Sequence, residues 1–88
     1  MTAPQPPRPL GTEGTKVWSY WCRRVTDRDR LLALCEAVDE RIFLRTKVLR
    51  GEAAPAERDG LRKLDTAIET TLAAVTKDAE WRTYARRR

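Results

Sequence analysis

The sequence predicts an all-α protein: a small helical bundle built on a long antiparallel helical hairpin, preceded by a proline-rich N-terminal arm. Two observations carry this reading. Apolar residues recur at helical spacing in successive runs, and no run alternates apolar with polar residues as a half-buried strand would. Four of the five prolines fall within residues 4–9, where they exclude a helix, because proline lacks an amide donor and biases the residue before it toward extended geometry.

Three segments follow from this: a flexible arm over 1–10, one helical domain over 11–81 and a basic tail over 82–88, "RTYARRR". In the domain, Val17, Trp18, Trp21, Cys22 and Val25 draw one apolar stripe, which predicts a first helix from Thr12 to Val25. Thr26 with Asp29 three residues on approximates a capping box, and Asp27 and Asp29 suit the positive end of a helix dipole, so a second helix starts there. Leu31, Leu34, Cys35, Val38, Ile42 and Leu49 keep to one face of it as far as Gly51, a residue suited to a left-handed C-terminal position. Phe43, Leu44 and Val48 widen that stripe, which reads either as a subunit interface or as one broad core face. Pro55 suits a first helical turn, but Gly60 weakens any helix through it by about 1 kcal/mol relative to Ala, so the third helix is expected from Leu61. Its seam is Leu61, Leu64, Ile68, Leu72 and Val75, packed against the second helix. Thr76 is expected to cap a last short helix, "KDAEWRTYA", whose Trp81 and Tyr84 share a face.

At 88 residues the chain is one domain at most, and so short a chain buries a small fraction of its surface, which makes partner subunits a source of stability. No run approaches the roughly 20 apolar residues of a membrane span, and no signal-peptide pattern leads the chain, so it is read as soluble and intracellular. The net charge of +5 is uneven: residues 1–30 carry +3, residues 31–81 carry −2 and residues 82–88 carry +4. Clustered cations favour the two ends for phosphate contact, through counterion release; a solvated tail that keeps the protein soluble is the other reading. Histidine is absent, so no Ser-His or Cys-His pair can activate a nucleophile, and no Gly-rich phosphate loop appears. Cys22 and Cys35 lack the further ligands a metal needs and are expected to be buried apolar residues. The pairs Asp39/Glu40 and Glu57/Asp59 lie among basic residues and are expected to form surface salt bridges. The expectation is a protein that is not an enzyme, with no cofactor, no metal, no small-molecule substrate and no membrane partner.

The stretch "PRPLGTEGTKVWSYW" carries a more specific signal. Its Pro7, Leu10, Gly11, Gly14 and Trp18 resemble the P-x-x-L-G-x-x-G-x-x-x-W pattern of the small terminase subunits of tailed bacteriophages. "LLALCEAVDERIFLRTKVLRG" is similar to that family's long Leu- and Ala-rich helix, and "LRKLDTAIETTLAAVTKDAEWR" to its closing helix and the stretch after it, at Val75, Thr76, Lys77 and Arg82. The resemblance implies a non-catalytic, ring-forming homo-oligomer in the bacterial host cytoplasm. Such a protein engages viral double-stranded DNA and regulates the large ATPase and nuclease subunit. On that reading Leu31, Leu34, Val38, Ile42, Leu64, Ile68 and Leu72 build subunit contacts. Arg82, Arg86, Arg87 and Arg88 meet DNA phosphates, followed by Arg23, Arg24, Lys16 and Arg8. Trp18 and Trp21 are expected to anchor the first helix, and the two glycines to let the arm turn closely onto it. Two other classes fit the same residues: a small helical DNA-binding regulator using the first two helices as a helix-turn-helix, and a helical-hairpin module that binds another polypeptide.

Overall fold

The computed structural model describes residues 5–86, with the side chain of Arg86 outside the description. They are all-α, with three helices in the order α1 (Thr12–Trp21), α2 (Arg28–Leu49) and α3 (Pro55–Arg86). Both α1 and α3 pack against α2. As α3 advances, its partners step back along the chain: Glu57 meets Lys47, Asp65 meets Arg41, and Asp78 meets Thr26 and Asp27.

The core forms where all three helices meet. Trp18, Cys22, Val25, Leu31, Leu32, Leu34, Cys35 and Val75 are buried there, and Leu10, Val17, Trp21, Val38, Ile68 and Ala79 pack against them. Each fully buried Leu or Val contributes roughly 1.5–3 kcal/mol relative to exposure. Burial pushes the Cys35 thiol up to about 12 from 9.0, with the Asp39 charge adding to it.

Boundaries differ from expectation in three places. The first helix stops at Trp21, not Val25: residues 22–24 turn, and Val25 enters the core from the connection, so its apolar side chain mimics another helical turn. Helix α2 is capped by Asp27, whose Oδ1 accepts from Arg30 N at 3.0 Å, because the Thr26 hydroxyl is turned to α3. Helix α3 starts at Pro55 and runs unbroken through Gly60 and Thr76. Glu57 sustains that start: it accepts from Ala54 N at 3.2 Å and from Lys47 Nζ at 2.7 Å. The Lys47 bond, then the Ala54 bond, hold its carboxyl below the ordinary value. Thr76 Oγ1 donates back to Leu72 O at 2.8 Å within the continuous helix and caps nothing. Gly51, at φ +72°, does take the left-handed position after α2.

The two glycines of the opening stretch have a shared physical reason. Asp39, on α2, accepts from Gly11 N at 2.7 Å and from Gly14 N at 2.9 Å, so one carboxylate caps the start of α1. A Cβ at Gly14 would stand 2.2 Å from Asp39 Oδ2 and 2.9 Å from the Cys35 carbonyl oxygen, and one at Gly11 2.8 Å from Asp39 Oδ1. The absence of both side chains is what lets α1 sit this close to α2. Asp39 is thus a cap across helices, where its sequence context suggests a surface salt bridge.

Candidate nucleic-acid interface

The candidate site is built where the connection between α1 and α2 meets the last turns of α3. Asp78 of α3 accepts from Thr26 N at 2.9 Å, Thr26 Oγ1 at 2.6 Å and Asp27 N at 3.0 Å. Partial burial pushes its carboxyl upward, but these hydrogen bonds and the Arg30 charge outweigh that and hold it below the ordinary value. One helical turn on, Arg82 Nη1 donates to Val25 O at 2.9 Å. These contacts bring Arg82 of α3 and the arginines around the α1–α2 connection, far apart along the chain, to one end of the molecule.

The arginines there are held in an unusual way. Arg24 donates to the Tyr20 carbonyl and lies 4.3 Å from the Tyr20 ring centroid. Arg28 Nε donates to Cys22 O at 3.1 Å. With Arg82, three guanidinium groups therefore bond to carbonyls at and just beyond the C-terminus of α1, where the helix dipole favours cations. Their hydrogen-bond acceptors are neutral, and Asp27 and Asp29 line the same cavity as Arg28 and Arg82. Elsewhere four cations meet carboxylates, Arg8 with Glu36, Lys16 with Glu13, Arg41 with Asp65 and Lys47 with Glu57. At the cationic end Arg30 pairs with Asp27 at 3.8 Å.

Among the described side chains of residues 22–30 and 77–85, six are basic (Arg23, Arg24, Arg28, Arg30, Lys77 and Arg82) and four acidic (Asp27, Asp29, Asp78 and Glu80), an excess of two positive charges. A cationic excess favours polyanions, and phosphates release counterions on meeting clustered cations.

The structure places the sequence-predicted DNA contacts unevenly. Arg23, Arg24 and the half-buried Arg82 belong to this end, while Arg8 and Lys16 are engaged with carboxylates near the start of α1. The backbone of Arg86 closes α3; its side chain, Arg87 and Arg88 lie outside the described residues. The predicted interface residues divide as well. Leu31 and Leu34 are enclosed by the chain's own core, Val38, Leu64 and Ile68 are half-buried, and Ile42 and Leu72 are exposed at 40% and 41%. Sequence reasoning did not single out Arg28, nor the exposure of Tyr20, Trp81 and Tyr84. Tyr20 meets Trp21 edge-on at 4.9 Å, and Trp81 stacks on Tyr84 at 5.7 Å. Trp81 is 62% exposed, on the face of α3 turned from the core. A heptad count along α3 sets it apart from the Leu61–Val75 seam, and that offset is the signal the sequence holds.

Among the described residues no group of three His, Cys, Asp or Glu is placed to hold a metal ion, and no helix is long and apolar enough to cross a membrane. Comparison with protein-family models, with curated proteins and with solved structures finds no match to this chain.

Proposed function

We propose that this chain is a small subunit of a viral DNA-packaging terminase. It is a non-catalytic protein, built on an antiparallel helical hairpin, that assembles into a homo-oligomeric ring in the host cytoplasm. The ring engages double-stranded viral DNA and regulates the large ATPase and nuclease subunit. The observation that supports the DNA part is the concentration at one end of arginines bonded to carbonyls and not to carboxylates, Arg24, Arg28 and Arg82. The resemblance in the opening stretch supports the family. Gly11, Gly14 and Trp18 each have a structural reason to be what they are: two serve the Asp39 cap and the third fills the core.

The test is a salt titration of binding to duplex DNA, read by fluorescence anisotropy. Replacing Arg23 and Arg24 together by alanine should weaken binding to all sequences alike and reduce the slope of log affinity against log salt by about one per phosphate no longer neutralised. The same replacement of Arg8 and Lys16 should leave the slope unchanged. A slope indifferent to Arg23 and Arg24 would remove this end from the DNA mechanism.

The short connection of residues 22–27 between α1 and α2 favours a second reading, a helix-turn-helix regulator. Light scattering separates the two, since a discrete assembly of many copies fits the terminase ring and a dimer tight on a palindromic duplex fits the regulator.

A further inference from the structure

Four aromatic rings stand in series where the end of α1 meets the last turns of α3. Tyr20 meets Trp21 edge-on at 4.9 Å, and Trp81 stacks on Tyr84 at 5.7 Å. The series is interrupted in its middle. Trp21 and Tyr84 line one cavity of about 370 Å³, together with Thr76, Ala79, Glu80 and Thr83, which is within the size range of small-ligand sites. Trp21 is half-buried and Tyr84 is 52% exposed, so one wall is fixed by packing and the other is reachable from solvent.

Few polar groups face this cavity, and each narrows the chemistry of an occupant. The Thr76 and Thr83 hydroxyls donate back along α3, to Leu72 O at 2.8 Å and to Ala79 O at 3.0 Å. Among the described residues of the lining Glu80 alone is charged, and no described cation pairs with it. Its carboxylate accepts from N–H donors and repels a phosphate. Beyond the Trp21 wall the sign reverses: Arg24 lies 4.3 Å from the Tyr20 ring centroid and bonds to the Tyr20 carbonyl, not to a carboxylate. A bare phosphate in the cavity would face Glu80, and a cationic guest would pass Arg24. A nucleotide suits both, because its base is a neutral ring with N–H donors on one edge and its phosphate lies at the other end. Aromatic walls favour the same guest, since every base has a π-face to stack. A base within a duplex has its faces covered by its neighbours and its amino edge by its partner, so the guest is an unpaired one.

We propose that this cavity takes an unpaired base of a single-stranded nucleic acid. The base stacks between Trp21 and Tyr84 with its amino group donating to Glu80, while Arg24 meets a phosphate of the same strand. Cytosine, adenine and guanine carry that amino group; thymine presents carbonyls on both sides of its one N–H, and the carboxylate repels them. The inference rests on the nucleic-acid reading of this end and adds the form of the ligand.

The experiment titrates the full chain at low salt with single strands of about eight nucleotides, oligo-dC and oligo-dT, and with a blunt duplex. Binding is read by anisotropy and stacking by quenching of tryptophan emission. Oligo-dC should bind more tightly than oligo-dT and quench. Tyr84→Ala should weaken oligo-dC by about 5- to 100-fold, the loss of one stacked base, and leave the duplex affinity as it was. Glu80→Gln should bring the two strands to equal affinity, because an amide donates to thymine carbonyls as readily as it accepts from cytosine. Circular dichroism checks the fold; if Tyr84→Ala loses helix, Thr83→Glu blocks the same cavity from another exposed position. Free dCMP binding as tightly as oligo-dC overturns the strand as ligand. A chain that binds duplex overturns this inference alone if oligo-dT matches oligo-dC, if oligo-dC does not quench, or if both cavity variants keep their oligo-dC affinity. A chain that binds neither strand nor duplex overturns this inference and the DNA reading together.

Discussion

Replacing glycine by alanine at two helical positions should change stability in opposite directions. At Gly14 the new methyl would lie 2.2 Å from Asp39 Oδ2. Rotating Asp39 away relieves that clash but gives up its bonds to Gly11 N and Gly14 N, and leaves the methyl 2.9 Å from the fixed carbonyl of Cys35. Hydrogen bonds to a charged group contribute about 1.5 kcal/mol each at the low end, and alanine's better helix propensity returns about 1 kcal/mol. The residual crowding adds of order 1 kcal/mol, so Gly14→Ala should destabilise by about 2–4 kcal/mol. At Gly60 a Cβ would meet nothing within 4 Å, and the helix already runs through it. Gly60→Ala should therefore stabilise by about 0.5–1 kcal/mol. Urea unfolding followed by circular dichroism, at one protein concentration so that assembly does not confound the comparison, measures both. A Gly14→Ala variant as stable as wild type would refute the Asp39 cap as the reason for glycine there.

The Asp78 carboxyl is held below its ordinary value of 3.8, so its contribution is complete above that pH and is lost as pH falls through the lowered folded value; Asp78→Asn should flatten the acid limb of the stability curve. With the Cys35 thiol raised to about 12 and both cysteines buried, neither should react with a thiol reagent at pH 8 until the chain unfolds, a point checked by absorbance with and without denaturant. Arg82→Lys keeps the charge but cannot reproduce the guanidinium geometry at Val25 O, so it should cost about 1 kcal/mol in urea unfolding while leaving the salt slope of DNA binding unchanged.

The apolar periodicity made the three main helices legible in order, and Thr12 and Gly51 marked ends that the structure keeps. What stayed hidden depends on contacts between distant residues. Nothing local distinguishes Asp39 from Glu40, yet only Asp39 faces the amides of α1. Gly60 and Thr76 read as interruptions because local propensity speaks against a long helix, and packing on α2 with the Glu57 bonds overrides it. The arginines were visible in the sequence, but the meeting of Arg82 with the stretch around Arg23 and Arg24 required Asp78 and Arg82 to reach residues more than fifty positions away. Helical spacing put Leu31 and Leu34 in the same stripe as Ile42; it could not say that α1 covers the first two and stops short of the third.

At ten residues, α1 is shorter than the roughly 12–15 that an isolated helix needs in water. Its existence is therefore conditional on the surface that receives it, and Asp39 is the point at which that condition is set. Loss of this one carboxylate would lower the cost of freeing Trp18 and Leu10 together, as a single opening event, while α2 and α3 stay packed on each other. In hydrogen exchange the α1 amides should then form one class, opening at lower cost than the inner amides of α2. The opening stretch of the sequence thus folds as one unit with the body, held by the Asp39 cap and the Trp18 packing together.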